Sequence, residues 1–160
     1  PGMIITSLLL IRYWILNKEL LSVIEPINIK SVNYFYIFGI LSAAFLILHA
    51  IFLGIKFDNN LYKLFRKLVL LAFIIFEILA QGFLVYNLYK KYNSLKEFIN
   101  KKILRFKIIL VSTLIIVTIV STPIISQEGN IKFKHALEWD YFFGVIFFYF
   151  LTFLMWKKRA

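Results

Sequence analysis

The sequence predicts an all-α protein, a polytopic transmembrane helix bundle of four clear spans plus a short or tilted first helix. Three observations carry this. Of the 160 residues, 61% are hydrophobic and the mean hydropathy is +0.82, whereas soluble domains are roughly 45–50% apolar. Charged residues make up 17%, below the roughly 25% of soluble domains, and they cluster between long apolar runs. Those runs lack the two-residue alternation of a membrane barrel, so each must satisfy its backbone polar groups within a helix.

The whole chain, residues 1–160, reads as one transmembrane helical domain with spans at approximately 3–24, 32–55, 68–89, 108–126 and 139–156. The first is the weakest. Its apolar run from Met3 to Leu16 is broken by Arg12 and followed by Asn17, Lys18 and Glu19, so it crosses only if Leu20 to Ile24 extend it, and otherwise lies tilted or interfacial. No small-residue cleavage site follows it, as a signal peptide requires. The other four are long enough to cross about 30 Å of hydrocarbon and almost free of charge. In the second, Gly39 and Ala43 form a small-xxx-small pair with Ser42 and Ala44 beside it, a pattern that lets helices approach closely. Pro123 falls near the end of its span, where the missing backbone donor is tolerable.

Loop charge predicts orientation. The segment from Lys90 to Lys107 carries Lys90, Lys91, Lys96, Lys101, Lys102, Arg105 and Lys107 against the single acid Glu97, which places it in the cytoplasm. Alternating the spans puts the C-terminal Lys157, Lys158 and Arg159 on the same side, together with Arg12, Lys18 and Lys30. Lys56, Lys63, Arg66, Lys67, Lys132 and Lys134 remain outside. Trp139 and Trp156 bracket the last span as interfacial anchors, and Trp14 marks the inner end of the first. A net charge of +11 is therefore read as topology and anionic-lipid contact, and nucleic acid is not expected as a partner.

The absence of cysteine excludes disulfides, cysteine-ligated metal and thiol redox chemistry. No phosphate loop, GxSxG elbow or HExxH pattern is present, so no metal and no cofactor are expected. A bis-histidine haem would require His49 and His135 to face each other across two helices. Candidate ligand- or partner-binding residues are few. Glu77 lies mid-span, where a bare carboxylate costs at least a few kcal/mol, and must be protonated, paired or turned to a polar cavity. Gln81 follows one turn later on the same face. Glu77 can serve function or an interhelical hydrogen bond, and His49 is open to the same two readings. Lys134, His135, Glu138, Trp139, Asp140 and Tyr141 form the densest polar group. His135 and Glu138 share a face at i, i+3, fit for a lipid headgroup, a proton or half a metal site, or simply for starting a helix whose dipole Asp140 complements. Between Lys90 and Lys107 the lysines alternate with Tyr92, Leu95, Phe98, Ile99, Ile103, Leu104 and Phe106. That pattern suits either an amphipathic helix on an anionic leaflet or a solvated loop.

The string His135-Ala136-Leu137-Glu138-Trp139, followed by Ile146-Phe147-Phe148-Tyr149-Phe150-Leu151-Thr152-Phe153, resembles the last helix of the damage-regulated autophagy modulator (DRAM) family. That superfamily also holds plasma-membrane regulators of phosphoinositide synthesis and GPI-anchor lipid-remodelling proteins. Arg12-Tyr13, Gly39-Ile40-Leu41-Ser42 and Arg105 are similar to family features in the same order. The resemblance covers the last five of the family's usual six helices, and implies a non-enzymatic, lipid-associated membrane regulator with a cytoplasmic carboxyl end.

The expected function is accordingly a small multi-pass integral membrane protein that binds lipid or a membrane partner as a regulator or scaffold. It would use His135, Glu138 and Trp139 at the outer end and the Lys90 to Lys107 segment at the inner leaflet. Two alternatives stay open: an accessory subunit of a larger membrane complex, and a membrane enzyme or transporter using Glu77 with His49 or His135.

Overall fold

The computed structural model describes residues 2–24, 29–55, 59–125 and 131–157; the side chains of 23, 24, 29–32, 122–125, 131–135 and 138 lie outside the described residues. The fold is all-α, with six helices and no strand among the described residues. They are α1 (Gly2–Ile24), α2 (Ile29–Leu53), α3 (Asn60–Lys90), α4 (Tyr92–Leu95), α5 (Lys101–Ile125) and α6 (Ile131–Met155). Three are long and apolar enough to cross a membrane, over Asn33–Leu53, Asn60–Lys90 and Lys101–Ser121, and Trp139–Met155 is a shorter apolar stretch. The 23 residues of α1 form one continuous helix, about 35 Å long at 1.5 Å per residue. Its Arg12, Lys18 and Glu19 break up the apolar character, and α1 is not among the three.

Helix α3 begins at Asn60, about two turns before the apolar run expected from Leu68. The cause is a cap. Asn59 Oδ1 accepts the Leu61 N–H at 3.1 Å, and its carbonyl accepts that of Lys63 at 3.1 Å, which satisfies donors the first turn otherwise leaves bare. Lys63, Arg66 and Lys67 therefore stand within α3. Within the apolar helices, Ser7, Asn17, Thr118 and Thr152 return hydrogen bonds to carbonyls four residues earlier at 2.7–2.9 Å, the usual way for a small polar side chain to be satisfied without water.

Chain contacts divide the fold into two compact units, Pro1–Asn87 and Leu88–Ala160. In the first, α1 and α2 pack backbone to backbone, because the small residues of α2 leave room. Gly39 receives the indole of Trp14, and a Cβ there would stand 2.4 Å from the ring. Trp14, Phe35, Ser42 and Ala43 are fully buried. Between α2 and α3 the spacing is wider and filled by rings. Tyr34 stacks on Phe83, Phe38 on Phe83 and Phe76, and Phe45 on Phe76, with centroids 5.4–5.9 Å apart. The Tyr62 hydroxyl on α3 bonds to the carbonyl of Phe52, near the end of α2, and to that of Ile55 just after it.

In the second unit α5 packs on α6, with Gly144 meeting Leu114. The stretch between α3 and α5 is neither one amphipathic helix nor a free loop. After the single turn of α4 the chain pairs with the end of α6: Asn100 N–H donates to the Met155 carbonyl at 2.9 Å and Lys157 N–H to that of Phe98 at 2.8 Å. Leu95, Ile99 and Met155 are fully buried. Of the apolar residues that an amphipathic helix would turn to lipid, Leu95, Ile99 and Leu104 face protein instead. Asn100 then caps α5, its Oδ1 accepting the Lys102 N–H at 3.0 Å.

Outward surfaces of the helices are apolar. Leu61, Ile119 and Phe153 are 72, 67 and 78% exposed, and all residues from Ile115 to Val120 are exposed. Apolar area of this continuity is foreign to monomeric soluble proteins.

Candidate functional site

The junction from α3 to α5 folds into a groove of about 460 Å³, lined by Tyr89, Lys90, Tyr92, Asn93, Lys101, Leu104, Arg105 and Ile108. Its geometry follows from the elements. Lys90 is the last residue of α3, Tyr92 and Asn93 belong to α4, and Lys101 opens α5. Positions 101, 104, 105 and 108 fall at i, i+3, i+4 and i+7, one face of a helix. The Asn100 cap sets where that face begins. Lys90, Lys101 and Arg105 are all exposed, and among the described residues no acidic one lines the groove. The Lys101 ammonium sits 5.4 Å from the centre of the Tyr92 ring, which offers its electron-rich face to the cation.

Of the seven basic residues expected to contact anionic lipid, the fold brings Lys90, Lys101 and Arg105 together in this groove. Lys96 and Lys102 are exposed outside it, and Lys91 is half-buried. Lys107 is displaced from the group: it is fully buried, donates to Thr152 Oγ1, and its Nζ lies 3.9 Å from the centre of the Phe148 ring. The reason is helical phase. Lys107 is on the side of α5 that packs against α6, and there it ties the two helices rather than reaching a leaflet.

Glu77 and Gln81 lie on one face of α3, and both are buried. Gln81 Nε2 donates to Glu77 Oε1 at 3.0 Å, and Ser42 Oγ on α2 donates to Glu77 Oε2 at 2.7 Å while also lying 2.8 Å from the Gly39 carbonyl. Gln81 Oε1 is buried with no hydrogen-bond partner among the described residues. Ser42 is the partner that sequence spacing did not assign to Glu77; the signal was a hydroxyl beside the small-residue pair that brings α2 close. Both carboxyl oxygens are thus engaged, the arrangement of an interhelical tie. Replacing Glu77 by glutamine, which keeps two polar atoms in place, is expected to hold the unfolding midpoint in detergent near wild type. Replacing it by leucine removes the partner of a buried amide and should cost about 1 kcal/mol, in line with the modest worth of hydrogen bonds inside membranes.

His49 is buried on α2, with Nδ1 lacking a hydrogen-bond partner among the described residues. Trp139 is 60% exposed and meets Phe142 edge-on at 6.0 Å; Asp140 is exposed. The side chains of His135 and Glu138 lie outside the described residues. Among the described residues no three of His, Asp and Glu cluster as metal ligands would. Comparison with family models, with curated proteins and with solved structures finds no match to this chain.

Proposed function

We propose that the chain is a multi-pass integral membrane protein that binds anionic lipid in the groove at the α3–α5 junction, acting as a non-enzymatic regulator or scaffold. The groove carries the proposal, because it joins three exposed cations to two tyrosines at the point where two membrane-length helices end and begin. Tyrosine with lysine or arginine is the composition of a membrane–water interface. Each cation beside an anionic leaflet is worth about 1 kcal/mol of attraction. Positive-inside bias supports a cytoplasmic position for this junction and for the carboxyl end. The likeness of the last helix to the DRAM family supports the same lipid-associated role.

The test is native mass spectrometry of the protein extracted gently from its own membrane. Wild type is expected to retain anionic lipid, and the triple variant Lys90→Gln, Lys101→Gln, Arg105→Gln to lose it. A stoichiometric protein partner with unchanged lipid in the variant would instead favour an accessory subunit of a larger complex.

A further inference from the structure

We infer that the groove selects a phosphomonoester headgroup on a membrane lipid, an inference that rests on the anionic-lipid reading above. Six of its eight lining residues carry donors. Lys90 and Lys101 bring ammonium groups, Arg105 a five-donor fork, Tyr89 and Tyr92 phenol hydroxyls, and Asn93 an amide. A phosphodiester presents one charge and two free oxygens, which leaves most of these unused. A phosphomonoester carries about −1.5 to −2 charges and three acceptor oxygens, and a planar guanidinium binds such a group through two parallel bonds. With three cations and no acid among the described residues of the lining, the ammonium of a choline or ethanolamine headgroup would meet like charge. A bare phosphate meets none.

The lipid, rather than a free phosphate ester, is the source because of the groove's other wall. Ile108 continues along the same face of α5, and α5 from Lys101 to Ser121 is apolar enough to cross the bilayer. A phosphate held by Lys101 and Arg105 therefore has its glycerol side directed to hydrocarbon. The volume of about 460 Å³ lies within the roughly 300–1,000 Å³ typical of small-molecule sites.

The experiment uses the full chain in micelles, with lipid retention read by native mass spectrometry. Phosphatidic acid is compared with phosphatidylglycerol at twice the mole fraction, with phosphatidylcholine, and with phosphatidic acid in the presence of equimolar soluble glycerol 3-phosphate. Phosphatidic acid is expected to be retained about five- to tenfold better than phosphatidylglycerol at pH 7.5. The preference should fall at pH 5, because the monoester regains its second proton near pH 6. Lys90, Lys101, Arg105, Tyr89 and Tyr92 are the titratable groups lining the groove. Arg105→Gln should lower retention of phosphatidic acid about fivefold, and Lys63→Gln, an exposed cation outside the groove, should leave it unchanged. Equal retention of the two anionic lipids, both above phosphatidylcholine, would overturn the headgroup inference and leave the anionic-lipid reading standing. Retention no better than phosphatidylcholine for either would overturn both. Displacement by glycerol 3-phosphate would overturn the lipid as source.

Discussion

Gly39→Ala is expected to be the most damaging single-methyl change in the first unit, lowering stability in detergent by about 1–3 kcal/mol or more. The new Cβ would stand 2.4 to 2.6 Å from three atoms of the Trp14 indole, against a comfortable carbon separation of 3.5–4.0 Å. The ring cannot yield cheaply. Trp14 is fully buried, with Tyr13 edge-on at 4.9 Å and Phe35 tilted at 6.0 Å, and the clashing atoms are at the root of the side chain rather than its tip. The response must therefore be a backbone shift that parts α1 from α2. Gly144→Ala supplies the control. Its Cβ meets Leu114 Cδ2 at 2.6 Å, but that methyl ends a flexible side chain and can rotate away. Unfolding midpoints of the two variants should differ clearly, with Gly39→Ala the lower; equal midpoints would mean that α1 is not seated on Gly39.

The second large effect belongs to the α5–α6 pair. Thr152→Val keeps the shape of the side chain and removes the hydroxyl that accepts from Lys107. The buried Nζ is left facing the Phe148 ring, and the loss should be about 1–3 kcal/mol, the penalty of a buried polar group deprived of its hydrogen bond. Lys107→Met fills the same volume without the amino group and should cost less than about 1.5 kcal/mol. The double variant Lys107→Met, Thr152→Val should then recover most of the loss seen with Thr152→Val alone, since the group that suffers is gone. A double variant as unstable as Thr152→Val would show that the hydroxyl matters through its bond to the Phe148 carbonyl and not through Lys107.

What the sequence revealed and what it hid divide along a physical line. Helices were legible because the hydrocarbon length and the need to satisfy every backbone group leave one option for a continuous apolar run. The pairing of Glu77 with Gln81 was legible because it is local, one turn along one helix. Ser42 and Thr152 were not, since each meets its partner across 35 and 45 residues of chain, and only the packing of two helices decides which residues face each other. Lys107 was grouped with the solvated lysines because loop charge counts residues and is blind to helical phase. The start of α3 is set by something else again: apolar content marks where hydrocarbon begins, whereas the helix begins where Asn59 caps it. Similarly, the basic segment from Lys90 to Lys107 declared its charge but not its shape. Asn100 and Lys157 pair this segment with the end of α6, a contact between residues far apart in sequence.

The measurement that bears most directly on lipid binding at this groove is crosslinking with a photoactivatable anionic lipid whose reactive group lies beside the phosphate, followed by mapping of the adducts. The account predicts adducts concentrated between residues 89 and 108, on Tyr89, Tyr92 and their neighbours, and their loss when Lys90, Lys101 and Arg105 are replaced together by glutamine. Adducts centred instead around Trp139 on α6, or a pattern unchanged in the triple variant, would contradict it.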